Sequence, residues 1–301
     1  MHAFLQQVCE KYNLGKIKSW SKFRLGLINE KYYLRTTKGV FVVRISVRTR
    51  KQLMFEVGLL RHLKKLPVIK LMNYGWGKFI SLYKGRPYIV YKFIDGQLPK
   101  RITPALVKQL GVFQAKFHRL GNSFKSKINR EPYTYNFPEI KIETFRKILQ
   151  SKIPKEFVVP YGKITNILLN IKLPKQIPTG PIHVDIKPEN ILIKNNKLVG
   201  VLDFDNGYIG PYIIDIGKTI TWFCIKKGKL NAGLLNDFFK SYQKIRKLTS
   251  MEKKFFRQAL VHAVASHIFL DYYKYHKRII PLSYLKMLHK EFYPFLSKYS
   301  L

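Results

Sequence analysis

Cysteine is nearly missing from this 301-residue chain. Cys9 and Cys224 stand in neither a CxxC pair nor a zinc-like cluster, which excludes a disulfide framework and leads us to expect a reducing, cytoplasmic compartment. Long apolar runs are also lacking: no window of about 18 residues is free of charged or strongly polar side chains, so no membrane span is expected. The opening MHAFLQQVCEKYNLGK does not carry the basic-then-apolar pattern of a signal peptide. Acidic residues are scarce, 17 against 56 lysines and arginines, for a net charge of +39. That excess admits a binder of nucleic acid or anionic membrane. No block of five or six consecutive basic residues occurs, however, and the charge is spread from Lys11 to Lys298 in the manner of a solvated surface. Internal repeats and low-complexity linkers are absent. Hydrophobic residues at 46% and aromatics at 14% are enough to build a core, which excludes global disorder.

The first 95 residues read as a sheet with one helix, after a short N-terminal helix. Tyr32 to Arg35 and Val40 to Val47 are β-rich runs about the turn Thr37-Lys38-Gly39, and Phe79 to Leu82 and Arg86 to Phe93 are two more. Between them Leu53, Val57, Leu60 and Leu63 recur at helical spacing, with Pro67 as a stop. Beyond the seam at Asp95-Gly96-Gln97 the pattern is mainly helical. Thr103 caps a helix that begins at Pro104 and buries Leu106, Leu110, Phe113, Phe117 and Leu120. Glu143 to Gln150 and Tyr161 to Ile171 look helical, a long apolar helix follows residue 250, and a last one starts near Ser283. The division expected is 1–95 and 96–301.

The few carboxylates are unevenly placed. Asp185, Glu189, Asp203, Asp205 and Asp215 fall within 31 residues, and this is where chemistry is expected. Ile191 to Ile193 and Leu198 to Leu202 flank Asn195-Asn196-Lys197 as an antiparallel hairpin. A turn centred between Asn196 and Lys197 sets Asn190 opposite Asp203, where two oxygen-bearing side chains can meet on one hard cation. A slip of one residue would turn one of them to the other face. Asp185, five residues before Asn190, is suited to accept a hydrogen bond from an attacking hydroxyl. His183 is the other candidate base, or else a buried prop for the loop.

HVDIKPEN, with LDFD eighteen residues after Asp185, resembles the catalytic loop and metal-binding turn of the protein-kinase-like superfamily, in the version of the aminoglycoside phosphotransferase and choline kinase branch. GLINEKYYLRTTKGVFVVRI, GVFQAKFHRLG, IPTGPIHVDIKPENILI and DIGKTITWFC together resemble the homoserine kinase type of small-molecule kinase. The resemblance implies an α+β, bilobal protein-kinase-like fold, with an N-terminal antiparallel sheet and a larger, mainly helical C-terminal lobe. By position, Asp185 matches the catalytic base, and Asn190 and Asp203 match ligands of Mg2+. Lys187 matches a lysine that neutralises the transferring phosphate, and Asp215 an aspartate that ties down the catalytic loop. Asp205 stands where protein kinases have glycine, and either meets a second metal or is solvated. Arg44 takes the place of the nucleotide-phosphate lysine, with Glu56 as its ion-pair partner, and arginine keeps the charge with a longer, planar reach. Tyr91 and Phe93 match the adenine-binding hinge, though both also suit core packing. Gly26 is alone in RLGLIN and is no GxGxxG, so phosphate cradling there is weakly signalled. His118 matches a family histidine and also suits a structural place.

These residues imply ATP and Mg2+ as cofactors and a small-molecule hydroxyl compound as substrate, homoserine first. An aminoglycoside or choline-type acceptor stands as the alternative. A basic nucleic-acid-binding protein or a pseudokinase without catalysis are the rival classes; the first rests on net charge alone and the second on Arg44. Oligomeric state is not legible.

Overall fold

The computed structural model describes residues 1–23, 29–128 and 153–298. Helix α1 (His2–Lys11) leads into strands β1 (Ile17–Lys22), β2 (Glu30–Thr36) and β3 (Gly39–Ile45). After α2 (Arg50–His62), β4 (Ser81–Tyr83) and β5 (Arg86–Lys92) complete an antiparallel sheet in the order β1-β2-β3-β5-β4. The β4–β5 turn is made by Lys84 and Gly85, both at positive φ, which matches the strand twist. Strand β3 is buried on both faces, and its alternation divides the core. Phe41, Val43 and Ile45 pack with Phe4, Leu5 and Val8 of α1, whereas Val42 joins Leu53, Phe55 and Leu60 of α2. Arg44 shares the parity of Val42, so the α2 side of the sheet receives a charge. Helix α2 starts at a capping box between Thr49 and Gln52.

The chain then passes along Asp95 to Gln97 into the helical part. Gln97 exchanges backbone hydrogen bonds with Ile193, and a Cβ at Gly96 would lie 2.9 Å from Leu192 Cβ and from Val199 Cγ2. Glycine at 96 is what lets this crossing run against the hairpin. Helix α3 (Pro104–Gly121) is capped by the Thr103 side chain with Pro104 at its first position. Helix α4 (Val158–Asn170) and strand β6 (Thr179–Ile182) lead to the hairpin of β7 (Ile191–Lys194) and β8 (Lys197–Val201). Strand β9 (Tyr208–Pro211) pairs with β6 and runs into α5 (Tyr212–Cys224). A short β10 (Ile225–Lys226) and β11 (Lys229–Leu230) precede α6 (Ala232–Gln243), α7 (Ser250–His276) and α8 (Leu282–Ser297). The α+β class is as expected. Gly26 and the helix expected at Glu143 to Gln150 lie outside the described residues. Among the described residues no helix is long and apolar enough to cross a membrane.

Candidate active site

Strand β6 delivers the chain to a loop that a single carboxylate holds. Asp215, fully buried on α5, accepts hydrogen bonds at Oδ1 from the amides of His183 (3.1 Å) and Val184 (2.6 Å). Its Oδ2 is 2.8 Å from His118 Nε2, and His118 Nδ1 is 2.7 Å from the Tyr242 hydroxyl. Burial pushes the His118 imidazole below its ordinary value, so it is neutral: Nε2–H donates to Asp215 and Nδ1 accepts from Tyr242. Burial alone would raise the Asp215 carboxyl, but the bond from His118 reverses that and keeps it low. The clamp sustains a left-handed backbone at Val184, φ 59°, which costs a β-branched residue about 1–3 kcal/mol.

His183 uses both ring nitrogens inside this loop. Nδ1 accepts the Asp185 amide at 3.2 Å, Nε2 donates to Leu202 O at 2.8 Å, and the ring meets Phe204 edge-on at 4.4 Å. Of its two readings, the prop is the one realised. Asp185 is 7% exposed, with Oδ2 accepting from Asn190 Nδ2 (3.1 Å) and Asn206 Nδ2 (3.5 Å), and Lys187 Nζ is 3.7 Å from Oδ1. Lys187 also lies 3.2 Å from Glu189, so it is not a loose surface lysine.

The hairpin register departs from expectation. Ile191 pairs with Val201, with an irregularity between Leu192 and Ile193, and Asn190 O accepts the Leu202 amide at 2.8 Å. Asn190 therefore faces Leu202 rather than Asp203. The extra residue is absorbed on β8, and Asp203 follows in a left-handed conformation, φ 63° and ψ 58°. Burial would raise the Asp203 carboxyl, yet Lys31 and Arg44 outweigh it and hold the group below its ordinary value. Asn190 donates Nδ2 to Asp185 O (2.8 Å) as well as to Oδ2, which leaves Oδ1 as its acceptor atom. An amide oxygen and an ionised carboxylate are the donors a hard cation takes, so these two residues fit magnesium. Among the described residues no group of three or more His, Cys, Asp or Glu is disposed to hold a metal.

On the sheet side, Arg44 and Glu56 form a bidentate pair, Nη1 to Oε1 at 2.9 Å and Nη2 to Oε2 at 2.6 Å, at 2% and 0% exposure. Burial opposes charge on both, and the Glu56 carboxylate holds the Arg44 guanidinium above its ordinary value. Tyr91 is buried in β5 opposite Val42; the Phe93 amide donates to Val40 O, and its ring meets Tyr33 at 5.4 Å. Tyr91 is thus packed within the sheet, and Phe93 lies just past the end of β5.

Of the two readings of Asp205, the solvated one is not realised. At 3% exposure it has Arg48 Nε 3.4 Å and Asn29 Nδ2 3.3 Å from its Oδ2, so it ties the loop after β8 to the segments just before β2 and just after β3. Arg48 Nη2 also donates to Asn206 Oδ1 at 3.1 Å, which continues to Asp185. Sequence reasoning missed Arg48, Asn206 and Lys31. Lys31 Nζ is 3.7 Å from Asp203 Oδ2, and that carboxylate raises the lysine above its ordinary value. One signal was available for Lys31: the β2–β3 turn pairs it with Arg44 across the ladder.

A model of the phosphotransferase enzyme family matches residues 19–248. The chain is similar to the homoserine kinase of Beijerinckia indica, 24% identical over 258 residues that span 82% of this chain and 78% of that one. The homoserine kinase of Rhizobium meliloti is 24% identical over 255 residues, 80% of this chain and 74% of the other. Among solved structures, amicoumacin kinase hAmiN in complex with AMP-PNP, Ca2+ and Ami superposes with a TM-score of 0.73, at 16% identity over 99% of this chain and 96% of that one. Spectinomycin phosphotransferase in complex with ADP and spectinomycin gives 0.62, at 14% identity over 100% and 94%. At such identity these two likenesses speak for the bilobal kinase-like fold.

Proposed function

The chain belongs to the phosphotransferase enzyme family, and on that premise we propose that it transfers the terminal phosphate of ATP to the hydroxyl of a small amino-acid alcohol, L-homoserine. The observation that carries this reading is the meeting of Asp185 with Asn190 and Asn206 on a loop clamped by Asp215, with Asp203 one residue past the Leu202 that pairs with Asn190. Asp185 accepts a hydrogen bond from the acceptor hydroxyl, orients it in line with the phosphate and takes its proton late. Lys187 offsets charge on the moving group. Asn190 Oδ1 and Asp203 would hold magnesium, which when bound neutralises charge on the nucleotide phosphates. Arg44, aimed by Glu56, and Lys31 beside Asp203 supply cationic charge on the nucleotide side, with Tyr91 and Phe93 at the hinge. In this reading residues 1–95 serve the nucleotide and 96–301 the acceptor and the chemistry.

Homoserine is favoured because relatives of that name match about four fifths of the chain. Polycationic antibiotic acceptors are opposed by a net charge of +39. Phosphorus NMR of the purified chain with magnesium ATP and a panel of amino-alcohols, sugars and aminoglycosides tests the proposal. A new phosphate monoester is expected with L-homoserine, and its rate should fall on the order of a thousandfold in Asp185→Ala while nucleotide binding persists. Undiminished turnover in that variant would refute the role of Asp185.

A further inference from the structure

Buried charge in the C-terminal third of α7 takes no part in the chemistry above. His267 and Asp271 stand one turn apart at 2% and 1% exposure, and Lys274 Nζ is 2.9 Å from Asp271 Oδ1. His267 Nε2 is 3.6 Å from Asp271 Oδ2. Lys218 enters from α5, 2% exposed, and donates to Ser266 Oγ at 2.7 Å. The two helices approach closely because residue 217 is glycine; a Cβ there would be 2.9 Å from Ala263 Cβ.

Ion pairing does not complete this cluster. Neither ring nitrogen of His267 nor Asp271 Oδ2 has a hydrogen bond among the described residues, and Asp271 Oδ1 has only the Lys274 ammonium, although all four atoms are closed to solvent. Buried polar atoms left in that condition destabilise a fold, and a ligand that supplies the missing bonds is one reason for them to persist. The cluster also adjoins the catalytic loop. Lys187 Nζ is 5.9 Å from the centre of the Trp222 ring, and Trp222 meets the His267 ring perpendicularly at 5.0 Å. Asp185 and Asp271 are the two carboxylates whose charges act on Lys218.

Resting on the kinase reading above, we infer that this cluster is the recognition site of the acceptor and that it reads a zwitterion: Asp271 and His267 take an α-ammonium, Lys218 and Lys274 take an α-carboxylate, and the hydroxyl is left to Asp185. Burial, with Lys218, Lys274 and Lys187 nearby, holds His267 well below its ordinary value, so its neutral ring can accept a bond from the ammonium. Burial also pulls Lys218 down to about 7 against the opposing charges of Asp185 and Asp271, and an arriving carboxylate raises it again. A polycationic ligand would face three lysines at this site, whereas an amino acid matches both signs.

The test uses the full chain with L-homoserine, the hydroxy acid that lacks its amino group, and the amino-alcohol that lacks its carboxyl. Saturation-transfer NMR without nucleotide reads binding directly, and kcat/KM with magnesium ATP reads turnover. Wild type is expected to prefer homoserine over either analogue by about a hundredfold. Asp271→Asn should erase the preference over the deaminated acid, and Lys274→Met the preference over the decarboxylated amino-alcohol, each in protein shown by circular dichroism to be folded. Should one variant not fold, the other decides. Equal use of all three compounds by wild type, or preferences that survive substitution, would overturn the inference. Phosphorylation of no acceptor, with selective homoserine binding still lost in these variants, would sink the kinase reading and leave the amino-acid site standing.

Discussion

Among the described residues two histidine–aspartate pairs lie buried in the helical half of this chain, and they are built oppositely. His118 and Asp215 meet at 2.8 Å, both ring nitrogens are bonded, and the carboxylate also receives two backbone amides. His267 and Asp271 are equally buried but stand at 3.6 Å, with both ring nitrogens and Asp271 Oδ2 lacking hydrogen bonds among the described residues and Oδ1 held only by Lys274. The same residue types at the same burial therefore do different work. A pair that closes on backbone fixes a loop, whereas a pair with bonding capacity left over is matched to something that arrives. The N-terminal sheet repeats the contrast in cationic form: Arg44 is locked on Glu56 by two bonds, and Lys31 reaches Asp203 at 3.7 Å with part of its side chain in solvent.

The sharpest way to break the comparison is to remove the closed pair. Asp215→Ala strips the His183 and Val184 amides of their acceptor, orphans His118, and releases the strained Val184 backbone. Loss of one member of a buried, hydrogen-bonded charged set costs about 3–5 kcal/mol. Urea unfolding should show that loss, and turnover should collapse because Asp185 no longer has a fixed backbone; a variant as stable as wild type would end the assignment of Asp215 as a clamp.

The open cluster predicts a pH signature of a size set by Lys218. Its folded value, about 7, lies below the ordinary 10.5 because burial disfavours the ammonium. Above the unfolded value both states are neutral, and between 10.5 and 7 the unfolded chain binds a proton that the folded chain does not. Stability attributable to this lysine therefore rises with pH across that window, by about 1.4 kcal/mol per unit at most, and is flat below it. In the folded chain the charges of Asp185 and Asp271 oppose that shift and Lys274 adds to it. Subtracting the curve of Lys218→Met from that of wild type between pH 7 and 9 isolates the slope, and parallel curves would show that Lys218 is not desolvated.

A smaller effect separates the two cations of the sheet. Lys31→Met should raise the KM for ATP about tenfold, near 1.4 kcal/mol, with little change in urea unfolding, because its ion pair is partly in water. Glu56→Gln should do the reverse in proportion, lowering stability more than its effect on KM suggests, since it leaves Arg44 buried beside a neutral partner.

How much of this was legible follows from sequence distance. Local signals were read correctly where one segment suffices: the Thr103 cap before Pro104, the Thr37-Lys38 turn, and the apolar runs about Asn195 and Asn196. The hairpin register failed by one residue, because an irregularity on β8 is a matter of packing that alternation alone does not reveal. The solvated reading of Asp205 failed because its partners Asn29 and Arg48 come from the other half of the chain. Helix α7 reads as a long apolar rod, and His267, Asp271 and Lys274 are legible there only as a helical face. That the face meets Lys218 depends on the glycine at 217, whose meaning appears once the helices are packed.

The smallest expected effect is the most discriminating. Asp271→Asn removes a buried negative charge whose oxygens are not bonded as Asp215's are, so it relieves desolvation while losing the attraction of Lys274. These oppose one another, and the net change in unfolding free energy should fall within about 1 kcal/mol of zero. Asp215→Asn at the closed pair should cost several times more, since the amide nitrogen then confronts donors on every side. Equal losses at the two positions, measured by urea titration at one pH, would mean that Asp271 is as structural as Asp215 and that the distinction between a finished pair and a waiting one has no energetic basis.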